Sequence, residues 1–361
     1  MLSQKIQAEG GSLSFAEFVD IALYHPEFGY YSKGPRIGRE GDFYTSPTLH
    51  PIFGWTLARW IHQVWNQLGW PLPLRILELG PGEGYLALDI LTWFQQKEIP
   101  VTYGLVERSP TLTQRQREVL QGKPVTWFTT FSDLPSPIFV VSNELFDAFP
   151  FFRVQWTSSG WQELRVVEKG GAFSFQAFPL QDPELQEFLQ RYRPWVHEGQ
   201  ILDVSPQTYQ FALDLFAHLK QAVILTIDYG DRRPSLLRRF PQGSLMVYHQ
   251  HRVLDHPFEN PGNVDITYHI DFDLLIEAGE TQGVEPVYFK DQGIFLMDIG
   301  ILEILEELEQ SVPTQEEEIK ARLAVKTLVY RFGRSHQVLV QAKGIHAPLL
   351  QELIKQKKRR T

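Results

Sequence analysis

The chain has 361 residues, of which 43% are hydrophobic and 21% are charged, and its formal net charge is −9. This balance is typical of a globular protein with a buried core, and the negative charge argues against nonspecific nucleic-acid binding, which needs a basic surface. The absence of cysteine excludes disulfides, thiolate metal sites and a cysteine nucleophile. No segment has the length and apolarity of a membrane span, and the N-terminus lacks the pattern of a secretion or import signal, so we expect a cytoplasmic location.

Residues 1–70 predict helices joined by a long loop, and we interpret them as a helical lid region. The sequence Ser14–Glu17 is a capping box, and apolar residues follow it at helical spacing until about Tyr24. The Gly- and Pro-rich segment 27–42 predicts a loop. Ser46-Pro47 predicts the next helix start, with the serine as N-cap and the proline at the first helical position.

From residue 74 onward, strands and helices alternate, which is the pattern of a parallel sheet covered by helices. Short apolar runs predict five parallel strands, and a later run predicts a strand that closes the sheet. The five are Leu74–Leu79, Val101–Val106, Val125–Phe128, Ile138–Ser142 and Val223–Ile227, and the closing strand is His336–Lys343. The predicted fold class is therefore α/β, with a mostly parallel Rossmann-like sheet.

Two segments interrupt this alternation and are interpreted as insertions. Residues 151–205 begin with alternating polar and apolar residues around two Gly-containing turns, which predicts antiparallel hairpins. Residues 231–330 contain a Pro-, Gly- and His-rich loop and predict two helices. The core then extends over residues 71–345, and residues 346–361 form a basic tail.

The end of the first parallel strand carries the most informative pattern of the chain. Glu78 is followed by Gly80, Pro81, Gly82 and Gly84, and a helix-forming stretch comes next. Glycine at every second position exposes the backbone of a tight turn to a ligand, and a helix N-terminus adds amide donors. A tight turn without a ligand is the alternative interpretation.

The spacing of these glycines favours one nucleotide ligand over another. A dinucleotide fingerprint counted from Gly80 needs its third glycine at position 85, where Tyr85 stands. The form acid-x-Gly-x-Gly-x-Gly instead resembles motif I of the S-adenosylmethionine-dependent methyltransferases. Glu107 ends the second predicted strand 23 residues after Gly84 (84 to 107), where a carboxylate can accept both ribose hydroxyls. An adenosyl ligand of the methionine type is therefore favoured over NAD.

Further segments, from about residue 15 to 345, resemble the MidA family of methyltransferases, which assist assembly of respiratory complex I in mitochondria and have bacterial relatives. The matching segments are Tyr24–Tyr31, Gly41–Pro47, Glu78–Gly84, Ser142–Pro150, Ile227–Gly230 and Pro261–Thr267, whereas Phe332–His336 matches only loosely. The resemblance implies a Rossmann-like class I methyltransferase fold and S-adenosyl-L-methionine as cofactor. It also implies methylation of arginine in a protein substrate, a subunit of a complex I-type dehydrogenase.

Three acids at the carboxyl ends of predicted strands are the candidate catalytic residues. Glu144 and Asp147 follow the fourth strand and Asp228 ends the fifth, at the edge where open α/β sheets bind ligands. Two carboxylates three residues apart can grip a guanidinium and localise its charge, since they cannot simply deprotonate a group whose pKa exceeds about 12. A helix cap at Asp147 with Glu144 in a surface pair is the alternative.

The candidate cofactor-binding residues come from four segments. They are Glu78, Gly80, Pro81, Gly82 and Gly84 in the glycine loop, Glu107 after the second strand, Asn143 after the fourth, and Asp42, Thr45 and Ser46 before the second helix. The last three either fold over the cofactor or only cap the helix that follows. The histidines near residue 250 fit no standard ligand spacing, so no metal is expected.

The expected partner is a protein substrate, without nucleic acid or membrane insertion, and a homodimer is left open. Two other functions remain as alternatives at this point. One is a small-molecule methyltransferase with the same cofactor-binding half. The other is a noncatalytic assembly chaperone that keeps a cofactor-binding fold to hold a client protein.

Overall fold

The computed structural model describes residues 1–33, 46–249, 252–311 and 314–355. The chain divides into two compact units, each built from three stretches of sequence. Unit 1 comprises Met1–Pro35, Phe146–Ala212 and Gly230–Leu275, and unit 2 comprises Arg36–Leu145, Leu213–Tyr229 and Ile276–Thr361. The division into residues 1–70, 71–345 and 346–361 stays a prediction, as do the proposed boundaries of the two insertions.

Unit 2 is centred on a sheet that has seven main strands in the described residues. In chain order these are β1 Leu74–Leu79, β2 Val101–Val106, β3 Val125–Phe128, β4 Ile138–Asn143, β5 Ala222–Asp231, β6 Val284–Asp291 and β7 His336–Lys343. Their spatial order is β6-β7-β5-β4-β1-β2-β3. Strands β1 to β5 pair in parallel, and β7 is antiparallel to both β5 and β6. The five parallel strands and the closing strand are therefore confirmed.

Helices pack on this sheet because its central strands are apolar on both faces. In β4 the first five residues are buried, which is the pattern of a strand covered from both sides. The rings of Trp60 and Phe139 meet edge to face, with their centroids 5.8 Å apart. The helices of unit 2 are Ser46–Leu49, Ile52–Gln67, Tyr85–Gln96, Pro110–Val119, Gln292–Ile299, Ile301–Ser311, Gln315–Lys326, Phe332–Ser335 and Ala347–Lys355.

Unit 1 contains two antiparallel sheets. One is formed by Ser12–Leu13, Phe152–Thr157, Gly160–Lys169, Ala172–Pro179 and Ile201–Val204, and the other by Leu245–His249, Arg252–Val253 and Asp265–Tyr268. Its helices are Leu2–Ala8, Phe15–Tyr24, Pro183–Leu189 and Arg233–Arg239, while Pro206–His218 and Phe272–Thr281 each contribute residues to both units. The hairpins predicted after residue 150 and the capping box of the helix Phe15–Tyr24 are confirmed.

Two predictions about elements were wrong. The single helix expected after Ser46 is divided into Ser46–Leu49 and Ile52–Gln67, because Pro51 lacks an amide hydrogen and restricts the residue before it. The segment 231–330 holds more than two helices, and it also supplies β6 to the main sheet. β6 is an edge strand with a register shift next to Pro286, where the missing donor of the proline is tolerated.

Among the helices of the described ranges, none is long and apolar enough to cross a bilayer.

Candidate cofactor and acceptor site

The glycine loop leaves β1 in a conformation that other residues adopt only with strain. Gly80, Gly82 and Gly84 have φ angles of 62°, 54° and 90°. At Gly80 an added Cβ would also lie 2.6 Å from Cδ1 of Leu145. Gly84 precedes the helix Tyr85–Gln96, whose N-terminus has no side-chain cap, so its first amides are open to a ligand. The backbone therefore requires glycine here, as the spacing predicted.

Glu107 lies directly after β2, where the sequence placed a ribose-binding acid. Its Oε1 accepts a hydrogen bond of 2.8 Å from the amide of Ser109. Burial raises the pKa of Glu107 to about 7, and hydrogen bonds from Ser109 and Gln116 oppose the rise. The carboxylate is thus fixed in orientation and incompletely solvated, which suits an acceptor for ligand hydroxyls.

Gln116 connects the glycine loop to Glu107, and sequence reasoning missed it. Its Nε2 donates to the carbonyl oxygen of Gly82 at 2.7 Å and to Oε2 of Glu107 at 3.2 Å. Its Oε1 accepts a hydrogen bond of 2.9 Å from the indole of Trp127. Because the side chain is fully buried, these contacts fix the loop and the acid relative to each other. A glutamine among the polar residues of one helix gives no sequence signal for this role.

Glu78, the acid that opens the glycine motif, is buried against β2. The hydroxyl of Tyr103 donates to its Oε2 at 2.8 Å. Burial raises the pKa of Glu78 to about 8, with the hydrogen bond from Tyr103 acting in the opposite direction. One oxygen of this carboxyl is therefore occupied by the protein, and its contact with the cofactor stays a prediction.

The turn after β4 carries Glu144 in a left-handed backbone conformation with φ of 51°. Its amide donates to the carbonyl oxygen of Ile227 at 2.9 Å. Asp228 fixes the same turn, since its Oδ2 accepts from the amide of Leu145 at 3.2 Å and its Oδ1 from that of Tyr229 at 2.8 Å. Asp228 is fully buried, and its predicted catalytic role stays a prediction.

The side-chain amide of Asn143, the last residue of β4, has a hydrogen-bond partner for its nitrogen but, among the described residues, none for its oxygen. Its Nδ2 donates to Oε1 of Glu144 at 2.9 Å. Its Oδ1 is buried and accepts no hydrogen bond from any of the described residues. A buried acceptor without a donor is costly, and a ligand that carries an amino group would remove that cost.

His336 lies at the same edge of the sheet and was not predicted as a site residue. Because β7 runs antiparallel to β5, its first residue lies opposite Tyr229, two residues before β5 ends at Asp231. The imidazole is fully buried, and its Nε2 lies 3.5 Å from Oε1 of Glu144. The sequence contained a usable signal, since an antiparallel closing strand must begin where the parallel strands finish.

Asp147 belongs to unit 1, whereas Glu144 belongs to unit 2. Asp147 is buried in the short 3-10 helix Phe146–Ala148. In unit 1 the hydroxyl of Tyr31 donates to Oδ1 of Asp265 at 3.1 Å. Burial raises the pKa of Tyr31 well above its ordinary value, and the charges of Asp265 and Asp147 add to that rise. A shared grip of Glu144 and Asp147 on one cation stays a prediction.

The segment expected to fold over the cofactor is only partly described. Asp42 and Thr45 lie outside the described residues. The hydroxyl of Ser46 is buried and donates to Oε1 of Gln292 at 3.2 Å. The roles of Asp42, Thr45 and Ser46 toward the cofactor therefore stay predictions.

The described residues of unit 2 fit an adenosyl sulfonium ligand. The positive-φ turn Gly80–Gly84 presents backbone to it, the carboxylate of Glu107 suits ribose hydroxyls, and the orphaned Oδ1 of Asn143 suits an amino group. These groups follow β1, β2 and β4, at the edge where open α/β sheets bind ligands. Such a set can bind and orient a cofactor that itself carries the reactive group.

Comparisons with known proteins agree with this chemistry. A family model for S-adenosyl-L-methionine-dependent methyltransferases matches residues 56–290. The mitochondrial protein arginine methyltransferase NDUFAF7 homolog of Drosophila melanogaster is 28% identical, over 93% of this chain and 83% of its own. NDUFAF7 of Xenopus tropicalis is 30% identical, over 85% of this chain and 77% of its own. A crystal structure from Burkholderia thailandensis with S-adenosyl-homocysteine bound is 31% identical with a TM-score of 0.85, and the match covers 96% of this chain and 91% of that one.

Proposed function

The chain belongs to this family of S-adenosyl-L-methionine-dependent methyltransferases, and from that premise we propose that it methylates arginine side chains of a protein substrate. Relatives that match more than four fifths of the chain are named protein arginine methyltransferases, which supports arginine as the acceptor. More specifically, the proposed substrate is a subunit of a complex I-type dehydrogenase, which would be methylated in the cytoplasm before the subunit is assembled. A homodimer is compatible with this proposal but is not needed for it.

The observation that carries the proposal is the position of Glu144. Its carboxylate follows β4, on a turn whose amides are bound by Ile227 and Asp228. A non-glycine residue with φ of 51° costs free energy, so the surrounding contacts hold this residue against its own preference. A carboxylate held in this way can bind a guanidinium through two parallel hydrogen bonds, and it offsets the cost of removing that cation from water.

The cofactor supplies the reactive group, an electrophilic methyl on a sulfonium. The turn Gly80–Gly84, Glu107 and Asn143 would hold it, with Gln116 fixing the first two relative to each other. Asp42, Thr45 and Ser46 are proposed to close over it and exclude water. The contribution of the protein is then positioning and electrostatics, which can provide much of the rate enhancement of a displacement reaction.

Asp147 and Asp228 have different proposed roles. Asp147 is proposed as a second carboxylate for the acceptor cation. Asp228 is proposed to act through Glu144, because its Oδ2 accepts from the amide of Leu145 in the turn that carries Glu144, while its Oδ1 accepts from the amide of Tyr229. Removing the Asp228 carboxylate should therefore disturb the turn that carries Glu144.

The test compares methylated sites in cells with and without the protein by proteome-wide mass spectrometry. Wild-type protein should restore methylarginine at one or a few sites that are unmodified in its absence. Gly82→Val, which forces a side chain onto a turn with φ of 54°, should not restore it. A matched control is Gly122→Val, where φ is 78° and an added Cβ meets no atom within 4 Å.

Three outcomes would contradict the proposal. Methylation at another residue type would reject arginine, and a methylated small molecule without any modified protein would favour the small-molecule alternative. If Gly82→Val does not bind the cofactor and yet fully replaces the wild-type protein in cells that lack it, the noncatalytic chaperone is favoured.

A further inference from the structure

His336 is a fully buried histidine at the start of β7, and the proposed function does not yet use it. Its ring packs against that of Tyr229 on the neighbouring strand, with the two centroids 4.0 Å apart. The ionisable groups placed against it are Glu144 from the turn after β4 and Tyr229 from β5. A buried imidazole beside a site carboxylate can move a proton, so the position of its own hydrogen decides what it can do.

The contacts of Nδ1 assign that hydrogen. Nδ1 lies 3.1 Å from the carbonyl oxygen of Phe332 and 3.0 Å from Oγ of Ser335. A carbonyl oxygen only accepts, and the hydroxyl of Ser335 already donates to the same carbonyl at 3.2 Å. Nδ1 must therefore be the donor in both contacts. In the neutral ring this leaves a lone pair on Nε2.

The lone pair on Nε2 faces a second acceptor. Nε2 lies 3.5 Å from Oε1 of Glu144 and makes no hydrogen bond to any described residue. The same Oε1 already accepts from Nδ2 of Asn143 at 2.9 Å, and that amide does not reach Nε2. A buried acceptor such as Nε2 that has no donor and lies beside a second acceptor is unfavourable. A ligand with several N–H donors would satisfy both.

We propose that Nε2 of His336 accepts the proton released by the target nitrogen during methyl transfer, while Glu144 binds another N–H of the same cation. The identity of that cation as a guanidinium rests on the proposed function. Its planar, forked N–H groups can reach two neighbouring acceptors at once. Asn143 then has a positioning role, since its amide holds the Glu144 oxygen nearest to His336.

The proton balance of the reaction requires such an acceptor. The target nitrogen forms a bond to the methyl carbon, the carbon–sulfur electron pair leaves with sulfur, and one N–H proton passes to Nε2. Without this transfer the product would carry two positive charges on one guanidinium. Imidazole is far too weak a base to deprotonate arginine beforehand, but the nitrogen becomes a strong acid as its new bond forms. The resulting imidazolium lies beside the Glu144 carboxylate, which stabilises it.

Two substitutions separate this role from a structural one. His336→Asn keeps a donor at the place of Nδ1, toward Phe332, and removes Nε2. His336→Gln places an amide near the position of Nε2, which can hydrogen-bond but cannot take a proton. Both variants should bind S-adenosyl-homocysteine like wild type by calorimetry, and both should lose methyl transfer by about 100-fold or more, the usual contribution of a general base.

The activity assay uses labelled S-adenosyl-L-methionine and an extract of cells that lack the protein as the acceptor pool. The pH profile of wild-type methyl transfer should have an acidic limb, as expected for a reaction that uses a general base, and the residual activity of both variants should lack it. His218→Gln is the matched control, because His218 bonds the backbone of its own surface helix. It should leave the rate and the pH profile unchanged.

Nitrogen-15 spectra of histidine-labelled protein give a readout that needs no acceptor. The signal lost in His336→Asn should show a protonated Nδ1 and an unprotonated Nε2 in the presence of S-adenosyl-homocysteine at neutral pH. A hydrogen on Nε2, or an unaltered pH profile and rate in both variants, would overturn the role of His336. Labelled methyl groups on a residue other than arginine would contradict the proposed function but not the role of His336. A loss of methyl transfer in both variants would still identify His336 as the base.

Discussion

At the scale of single residues, the site depends on side chains that fix other side chains. Gln116 orients Glu107, Asp228 fixes the turn of Glu144, and Asn143 holds the Glu144 carboxylate. The sequence predicts the acids, because they follow strands at an edge where ligands bind. It does not predict Gln116, because that role arises only when a helix brings it beside two loops.

The role of Gln116 is tested by Gln116→Leu. The change keeps the volume but removes the hydrogen bond to Glu107 and leaves the carbonyl of Gly82 and the indole of Trp127 without their partner. We expect the affinity for S-adenosyl-homocysteine to fall about 10-fold to 100-fold, as lost hydrogen bonds of about 1–3 kcal/mol imply. Calorimetry measures this, and Gln114→Leu, an exposed position on the same helix, is the control. Equal affinity in the two variants would remove Gln116 from the cofactor site.

The buried acid Glu78 predicts a pH dependence of stability in the ligand-free protein. Burial raises its pKa from 4.5 to about 8, so between these values the folded state holds a proton that the unfolded state has released. The free energy of unfolding should therefore decrease as pH rises through this window, by up to about 1.4 kcal/mol per pH unit for one group. Chemical denaturation between pH 5 and pH 8 should show a smaller decrease in Glu78→Gln. An identical slope in the variant would contradict this account.

At the scale of elements, some strands and helices can be predicted from neighbouring residues in the sequence, and others cannot. The five parallel strands were predictable because each is a short apolar run bounded by turn residues. β6 was not, because Pro286 breaks its pattern and only pairing with β7 makes it a strand. The helix after Ser46 was predicted as one element, although Pro51 divides it. His336 was overlooked for a related reason, since its importance follows from the direction of β7 and not from its neighbours in sequence.

The glycine loop gives a prediction in which strain and crowding can be separated. Gly80→Ala places a Cβ 2.6 Å from Leu145 at a φ of 62°, so it should destabilise the protein and weaken binding of S-adenosyl-homocysteine. Gly122→Ala has a similar φ of 78° but meets no atom within 4 Å. It should therefore cost only the conformational strain, about 1 kcal/mol, with no loss of ligand affinity. Thermal unfolding with and without ligand measures both effects, and equal losses in the two variants would argue against crowding by Leu145.

At the scale of the whole molecule, each unit is assembled from stretches that are distant in sequence. Unit 1 draws on three stretches and unit 2 on three others, with one boundary between Leu145 and Phe146. Composition and periodicity describe consecutive residues, so they suggest linear domains and cannot show which stretches pack together. The glycine loop and Glu107 lie within one unit. Glu144 and Asp147 lie on either side of the boundary, and their shared grip on one cation stays a prediction.

Glu144 is proposed to bind the guanidinium of a protein arginine while the glycine loop and Glu107 bind the cofactor. In the most direct measurement, the purified protein is incubated with labelled S-adenosyl-L-methionine and an extract of cells that lack this protein. The labelled proteins are then hydrolysed, and their labelled amino acids are identified. Wild type should give labelled methylarginine. Glu144→Gln should bind S-adenosyl-homocysteine as wild type does and yet lose labelled methylarginine by orders of magnitude, with Glu187→Gln on the surface as the unaffected control. Full labelling of arginine by Glu144→Gln, or a wild-type product without methylarginine, would contradict the account.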